Sequence, residues 1–533
     1  MLVVVLLLAI LLVGAGVRLY RLSDQSASVD DYQMMCVLDA PDLSTYLSIA
    51  RYYGPENMPG YYVLLYAWAH VVGPSNVPML RLLGVLLSLA GVPLLFVLGR
   101  RLFGTYAGLV AALCFALSPM HAYLAQAPRY NALRELLVLV SLYALVRAME
   151  SGGKRWWGAN ALANLALLWT HVFTVFFVFA QGVFMLAHLP KRPRSTVAWG
   201  AVQFVIALTP LLWLAPALQA TVEPQDDFMY VVPPPYRFVA DLVADDAVMA
   251  VDPFAFQGET WGFLPVQTQQ ALVGLPGFFD LAMVLAVRVA LADLALRAAR
   301  RVNTGERPVP GELLALSVAV APLCAMLFAS LVWRPCILPR FSNYCSLGVY
   351  LGVGAAVAAI PGRSNRLAAV VLLLLAYAYQ LSLMLPAHTR TDWRGAAREI
   401  ETQAEPGDVV LVRGAHNGRD QFAYNAGELP YPILPAYTLQ AAAEKSARML
   451  EPDRDAAVWV LVEPFIYTLP PLEEFERALA ERGLAFARTD LPGMNGLYLY
   501  RIARIAAPVP NPYQVQTLVD YEALLDAMGR EDL

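Results

Sequence analysis

The chain has 533 residues, 58% of them hydrophobic and 15% charged, with a net charge of -4. A water-soluble domain carries roughly 25% charged residues. Here apolar runs of roughly twenty residues, the length that crosses a bilayer core, recur from Met1 to Leu385. These features argue against a large soluble protein, and the absence of a strongly basic region argues against a nucleic-acid partner.

The first run, Met1 to Val17, has no basic segment before it and no small-residue cleavage site before Arg18, so it reads as an uncleaved first span. A polar segment from Ser23 to Asn57 follows, rich in Asp, Tyr and Ser, with Arg51 as its one basic residue. Two apolar runs come next, Pro59 to Val72 and about Pro78 to Leu98. The first is short and opens Pro59-Gly60-Tyr61-Tyr62. It is expected to lie along or dip into the outer interface, anchored by Tyr61, Tyr62, Tyr66 and Trp68.

Basic clusters then mark the cytoplasmic side: Arg100-Arg101, Lys154-Arg155, the group Lys191, Arg192 and Arg194, the stretch Arg297 to Arg307, and Arg363 with Arg366. The segments between them alternate to the outside: Ser118 to Tyr130, the turn near His171, a long loop from Gln219 to Pro265, and Trp333 to Phe341. Parity gives about eleven spans, with the N-terminus inside. Near Pro386 the composition turns to that of a globular domain, and the last quarter of the chain holds about half of the acidic residues. Residues 1–386 are expected to form the transmembrane module, with outer loops 18–77 and 219–265, and residues 387–533 an extracytoplasmic domain.

That tail reads as α/β. A helix is expected over Trp393 to Gln403, a turn at Pro406-Gly407-Asp408, and a strand over Val409 to Val412. Another strand runs from Ala457 to Val462, a helix from Pro471 to Glu481, and a strand from Leu497 to Ile502 after a Pro492-Gly493 turn. No Gly-rich phosphate loop is present. Cys36, Cys114, Cys324, Cys336 and Cys345 show no metal-ligand spacing. A disulfide among Cys36, Cys336 and Cys345 is one reading, and thiols packed among apolar groups the other.

Several polar groups could carry chemistry. Asp30 and Asp31 follow the first span. Adjacent carboxylates repel, and one of them could take a proton from an attacking hydroxyl, although a solvated acidic turn has the same pattern. Arg129, within Ser118 to Asn131, and Arg340, in Leu338-Pro339-Arg340-Phe341, stand on the outer side against the charge trend. A guanidinium there suits a phosphate, or snorkels to lipid headgroups. His171 interrupts an apolar stretch, as a functional or a packing residue. Asp226, Asp227, Asp245 and Asp246, in the long loop with Pro233-Pro234-Pro235, are candidates for acceptor binding or a plain solvated loop.

In combination these pieces resemble the bacterial members of the GT-C superfamily of membrane glycosyltransferases, relatives of protein O-mannosyltransferases and of the lipid A aminoarabinose transferase. The likeness is carried by the acidic pair, Pro59-Gly60-Tyr61-Tyr62, Leu80-Arg81-Leu82-Leu83, Leu98-Gly99-Arg100-Arg101-Leu102-Phe103-Gly104, Ala116-Leu117-Ser118-Pro119 and Gln126 to Tyr130. Leu338-Pro339-Arg340-Phe341 is similar to the late Arg-Tyr motif, and Asp392-Trp393-Arg394-Gly395 to the start of the family's extramembrane domain.

The resemblance implies a polytopic, mainly α bundle in the plasma membrane that passes a sugar from a polyprenyl-phosphate donor to a lipid, glycan or protein hydroxyl with inversion. It implies Asp30 and Asp31 as the catalytic pair, with Asp30 the base, and Arg129 and Arg340 on the donor phosphate. His171, Tyr130 and Glu56 are further candidates for substrate contact. The second acid is Asp31 where the family has Glu, Glu56-Asn57-Met58 stands where a basic residue or His often precedes the proline, and Ala127-Pro128 replaces the acid before Arg129. No metal ligands are assigned, a divalent metal stays open, and no other cofactor is implied. Two other classes fit the composition: a flippase for lipid-linked sugars, which needs polar groups near mid-membrane, and a non-catalytic envelope protein.

Overall fold

The computed structural model describes residues 1–53, 58–219, 289–300, 310–332, 339–386, 390–413, 418–427, 429–450, 456–463, 472–491 and 496–504. These fall into two compact units. One holds residues 1–23 and the described residues from Gln33 to Pro386. The other holds Asp24–Tyr32 and the described residues after Pro386.

The first unit is helical: α1 (Leu2–Leu19), α2 (Val29–Met35, shared at its start with the second unit), α3 (Leu43–Tyr53), α4 (Pro59–Val72), α5 (Val77–Phe103), α6 (Thr105–Leu117), α7 (Pro119–Ala125), α8 (Asn131–Ser151), α9 (Lys154–Leu168), α10 (Val175–Leu186), α11 (Pro193–Leu208) and α12 (Leu211–Gln219). Later helices span residues 289–300, Pro310–Val332, Pro339–Ser342, Cys345–Ala359 and Arg363–Met384. Among the described residues five helices are long and apolar enough to cross a membrane, or six if α6 and α7, bent by 57°, count as one span. The long loop, with Asp226, Asp227, Asp245, Asp246 and Pro233 to Pro235, lies outside the described residues, as do Glu56, Cys336 and the Pro492-Gly493 turn.

Apolar side chains cover the exposed faces of these spans. Leu2, Val4, Leu8 and Leu12 of α1, Phe204 and Val205 of α11, and Leu367 and Leu372 of the Arg363–Met384 helix are all exposed. Contiguous exposed apolar area of this kind is unstable in water and suited to lipid. Polar groups instead face inward. Ser141 of α8, Asn160 and Asn164 of α9, Gln181 of α10 and Gln203 of α11 are all buried. Asn160 Nδ2 donates to Gln181 Oε1 at 3.0 Å, Asn164 Nδ2 to Gln203 Oε1 at 3.0 Å, and Ser141 Oγ to Asn164 Oδ1 at 2.6 Å. Interhelical hydrogen bonds of this sort tie helices together where no hydrophobic force acts between them.

The break between α6 and α7 has a local cause. Pro119 has no N–H, so the Phe115 carbonyl four residues earlier loses its helical partner. The fully buried Arg18, in the last turn of α1, fills the gap: Nη2 donates to Phe115 O at 3.0 Å and Nη1 to Ala116 O at 2.6 Å, while Nε donates to Ser88 Oγ at 3.0 Å. A residue that marks the end of the first span in the sequence is, in the fold, an internal fastener of three helices.

The C-terminal unit is a five-stranded sheet of order β2-β1-β3-β5-β4, from β1 (Val409–Arg413), β2 (Ile433–Pro435), β3 (Val458–Val462), β4 (Leu484–Leu491) and β5 (Leu497–Arg504). β1 runs parallel to β2 and β3, and β5 antiparallel to β3 and β4. Alternate side chains of a strand face opposite sides, and both sides are covered. Val458, Val460 and Val462 pack with the helices Leu439–Met449 and Leu472–Ala480, whereas Trp459 and Leu461 pack with Trp393–Gln403 and Gly418–Ala426. That burial on both faces explains the continuous apolar run of β3. The turn before β1 reverses at Gly407, whose φ of 107° favours glycine.

Candidate active site

Three segments that the charge pattern assigns to the outside meet in the helical unit. After α7 the chain turns through Gln126 to Tyr130. Gln126 Nε2 donates to the carbonyls of Arg18 and Tyr20, at 3.0 and 2.9 Å, which ties this turn to the end of α1. Tyr130 is buried, and the His171 ring lies 4.1 Å from its ring centroid. His171 in turn lies 5.1 Å from the ring of Phe341, which sits in the Pro339–Ser342 helix that carries Arg340. The turn after α7, the α9–α10 connection and the Arg340 segment are thus joined by one aromatic stack.

Two guanidiniums flank Tyr130. Arg129 lies 5.5 Å from its ring centroid and Arg134 lies 5.2 Å from it. Cation–π contact holds each against the same ring, and Arg129 is 9% exposed. Arg134, fully buried at the start of α8, binds the Asn343 side chain, donates to Asn131 Oδ1 at 3.1 Å and reaches Phe341 O at 3.4 Å. Asn343 also donates to Glu135, whose Oε1 lies 2.9 Å from His121 Nδ1, and His121 Nε2 pairs with Ser346 Oγ at 2.7 Å. Every member of this chain is buried. A buried charge must be paired and hydrogen-bonded to be tolerated. Here Arg134 and Glu135, neighbours on α8, are both tied to Asn343, which directly follows the Pro339–Ser342 helix. The polar chain therefore fixes the backbone that carries Arg340 against the turn that carries Arg129.

Glycine permits a further approach. Gly60 N donates to Trp169 O at 2.7 Å, and a Cβ on Gly60 would stand 2.6 Å from that oxygen. The Pro-Gly-Tyr-Tyr motif thus lets α4 touch the backbone just before His171. Tyr61 and Tyr62, expected as interface anchors, are buried.

In the C-terminal unit, Asp31 is 1% exposed and forms an ion pair with Arg390. Ser28 caps α2: its Oγ accepts from Asp31 N at 3.2 Å, and the Asp31 carboxylate accepts from Ser28 N at 3.3 Å. This reciprocal arrangement is a capping box. In the sequence Asp31 stands beside Asp30 as a candidate catalytic acid; its partner Arg390, 359 residues away, is joined to it only by the fold.

Asp30 is a backbone member of α2 and Arg340 of the Pro339–Ser342 helix, but their side chains lie outside the described residues. Among the described residues no three His, Cys, Asp or Glu side chains gather to hold a metal ion. Arg134, Glu135, His121, Asn343 and Arg390 do not stand out as site residues in the sequence. The first two carried a readable signal, since adjacent opposite charges early in an apolar helix rarely sit there without function or partner.

Residues 57–213 match the family described as dolichyl-phosphate-mannose-protein mannosyltransferase. No curated protein matches the chain. Among solved structures, ArnT from Cupriavidus metallidurans in the apo state is similar with a TM-score of 0.54 at 13% identity, over 93% of this chain and 97% of that one. Weaker likenesses are to the Archaeoglobus fulgidus oligosaccharyltransferase, with a TM-score of 0.46 at 13% identity over 85% of this chain and 67% of that one, and to the arabinofuranosyltransferase AftD from Mycobacteria, with a TM-score of 0.44 at 16% identity over 94% of this chain and 41% of that one. The fold is shared with ArnT: a mainly α bundle with helices long and apolar enough to cross a membrane, and an additional C-terminal domain.

Proposed function

We propose that the chain is an inverting glycosyltransferase of the plasma membrane that moves a sugar from a polyprenyl-phosphate donor to an acceptor hydroxyl at the outer face. Its transmembrane module is residues 1–386, with about eleven crossings, and residues 387–533 are extracytoplasmic. The observation that carries this reading is the convergence of Arg129, Tyr130, His171 and the Arg340 segment through one stack in a fold shared with ArnT. The family match over residues 57–213 supports it.

The reaction is a single displacement. The acceptor oxygen attacks the anomeric carbon, and its proton passes to the Asp30 carboxylate. The bond from that carbon to the phosphate oxygen breaks, and its electron pair leaves on polyprenyl phosphate. Arg129 and Arg340 receive the growing phosphate charge, an electrostatic contribution that is usually the largest in such a step. Tyr130 and His171 line the sugar's side of Arg129. The donor's isoprenoid tail stays in lipid, so only its head must reach these groups.

The test is release of polyprenyl phosphate from labelled polyprenyl-phosphate sugars by the purified protein in lipid. Asp30→Asn is expected to abolish release while membrane insertion stays intact. Wild-type turnover by Asp30→Asn removes Asp30 from the mechanism. A wild type that moves the intact donor across vesicles without cleaving it would instead be a flippase.

A further inference from the structure

The C-terminal unit contains a segment from far away in the sequence. Residues Asp24–Tyr32, between the first span and the body of α2, are part of it. They are held by contacts with two helices of the α/β sandwich. Ser26 Oγ accepts from Arg394 N at 3.1 Å. Ala27 N donates to Asn425 Oδ1 at 2.6 Å, and Ala27 O accepts from Asn425 Nδ2 at 3.1 Å and Gln421 Nε2 at 3.2 Å. Tyr32 meets the edge of Tyr424 at 5.5 Å. The Asp31–Arg390 ion pair closes the arrangement, with side chains 1% and 3% exposed.

We infer that Asp31 and Arg390 are positioning residues, and that the C-terminal domain acts in catalysis by holding the N-terminus of α2, which carries Asp30, in a fixed place. This rests on the reaction proposed above, with Asp30 as its base. Asp31 is engaged twice, by the Ser28 cap and by a buried guanidinium. A carboxylate so committed is poorly placed to work on substrate, while the backbone of the preceding residue, in the same helical turn, is held with it. A base displaced by about 1 Å costs on the order of 100-fold in rate. The adjacent acids thus have separate tasks, one chemical and one structural, and the tail domain is required for turnover even when it touches no acceptor.

A double-mutant cycle on the full-length protein in lipid tests this, with two readouts: kcat for polyprenyl-phosphate release and amide hydrogen exchange over residues 24–35. Arg390→Met is expected to lower kcat roughly 100-fold with donor KM within about threefold of wild type, and to speed exchange over 24–35. Asp31→Asn, which keeps a cap acceptor, should fall by a similar factor. The double variant should lie within about threefold of the worse single, the signature of a coupled pair. Arg390→Lys should recover part of the loss. Gln421→Ala with Asn425→Ala, remote from the pair, should shift both readouts in the same direction.

Unchanged exchange in Arg390→Met overturns the docking. Faster exchange with wild-type kcat overturns the positioning role. Asp31→Asn as inert as Asp30→Asn, beside an active Arg390→Met, makes Asp31 a catalytic group and overturns the division of tasks. A wild type that releases no polyprenyl phosphate from any donor overturns the reaction itself, and the exchange readout, which needs no substrate, still decides the docking.

Discussion

His171 stacks on Tyr130 with 4.1 Å between ring centroids, and its other neighbours are Phe341 at 5.1 Å and Phe173 at 5.4 Å. One imidazole thus joins the turn bearing Arg129 to the segment bearing Arg340. Aromatic pairs of this kind contribute about 0.5–1.5 kcal/mol each beyond buried area. His171→Ala is expected to lower transfer at least tenfold by loosening both arginine segments. His171→Phe, which keeps a ring in the stack, separates the two roles: retained activity assigns His171 to packing, and loss assigns it to the substrate. Steady-state kinetics with labelled donor give the answer.

The fastening of α1 to α6 predicts a large stability effect. Arg18→Met leaves the Phe115 and Ala116 carbonyls and the Ser88 hydroxyl without the partner seen here. An unsatisfied buried group costs about 1–3 kcal/mol, so a loss of roughly 3 kcal/mol or more is expected. Arg18→Lys should rescue it poorly, because one ammonium cannot span the fork of contacts a guanidinium makes. Thermal unfolding in detergent, followed by tryptophan fluorescence, measures both variants.

Gly60→Ala tests the close approach of α4 to Trp169. The added methyl would stand 2.6 Å from the Trp169 carbonyl, so one helix must shift. Overpacking of this sort costs about 1–3 kcal/mol, and the shift falls beside His171. Thermal stability and donor KM should both worsen. A variant indistinguishable from wild type in both would mean that α4 is free to move.

Asn343→Leu tests the polar chain behind Arg340. It removes the group that Arg134 and Glu135 share. Leaving a buried polar group short of a hydrogen-bond partner costs about 1–3 kcal/mol. The variant should be less stable and, because the Pro339–Ser342 helix loses its anchor, should bind donor more weakly than Asn343→Gln, which keeps both an acceptor for Arg134 and a donor for Glu135. Binding of a polyprenyl phosphate, read by thermal shift, separates the two.

A helical membrane bundle with a smaller α/β domain behind it is legible in the amino-acid order. Unbroken apolar runs announce spans because the hydrophobic thickness of a bilayer sets their length, and α1, α5 and the Arg363–Met384 helix follow from that alone. Local periodicity was enough for Trp393–Gln403, β1, β3 and β5, whose apolar faces repeat at helical or strand spacing. It did not reveal β2, only three residues long, or β4, whose outer half alternates among half-exposed and polar groups. Nor could it reveal partners: Asp31 with Arg390, Arg134 with Asn343 and Arg18 with Phe115 are joined across 359, 209 and 97 residues. Secondary structure is written in neighbours a few residues apart, whereas a buried charge is made tolerable by whatever group the folded chain brings within hydrogen-bond reach. The tertiary structure alone decided which acid is tied down, which arginines share Tyr130, and that residues Asp24–Tyr32 belong with the distant C-terminal domain.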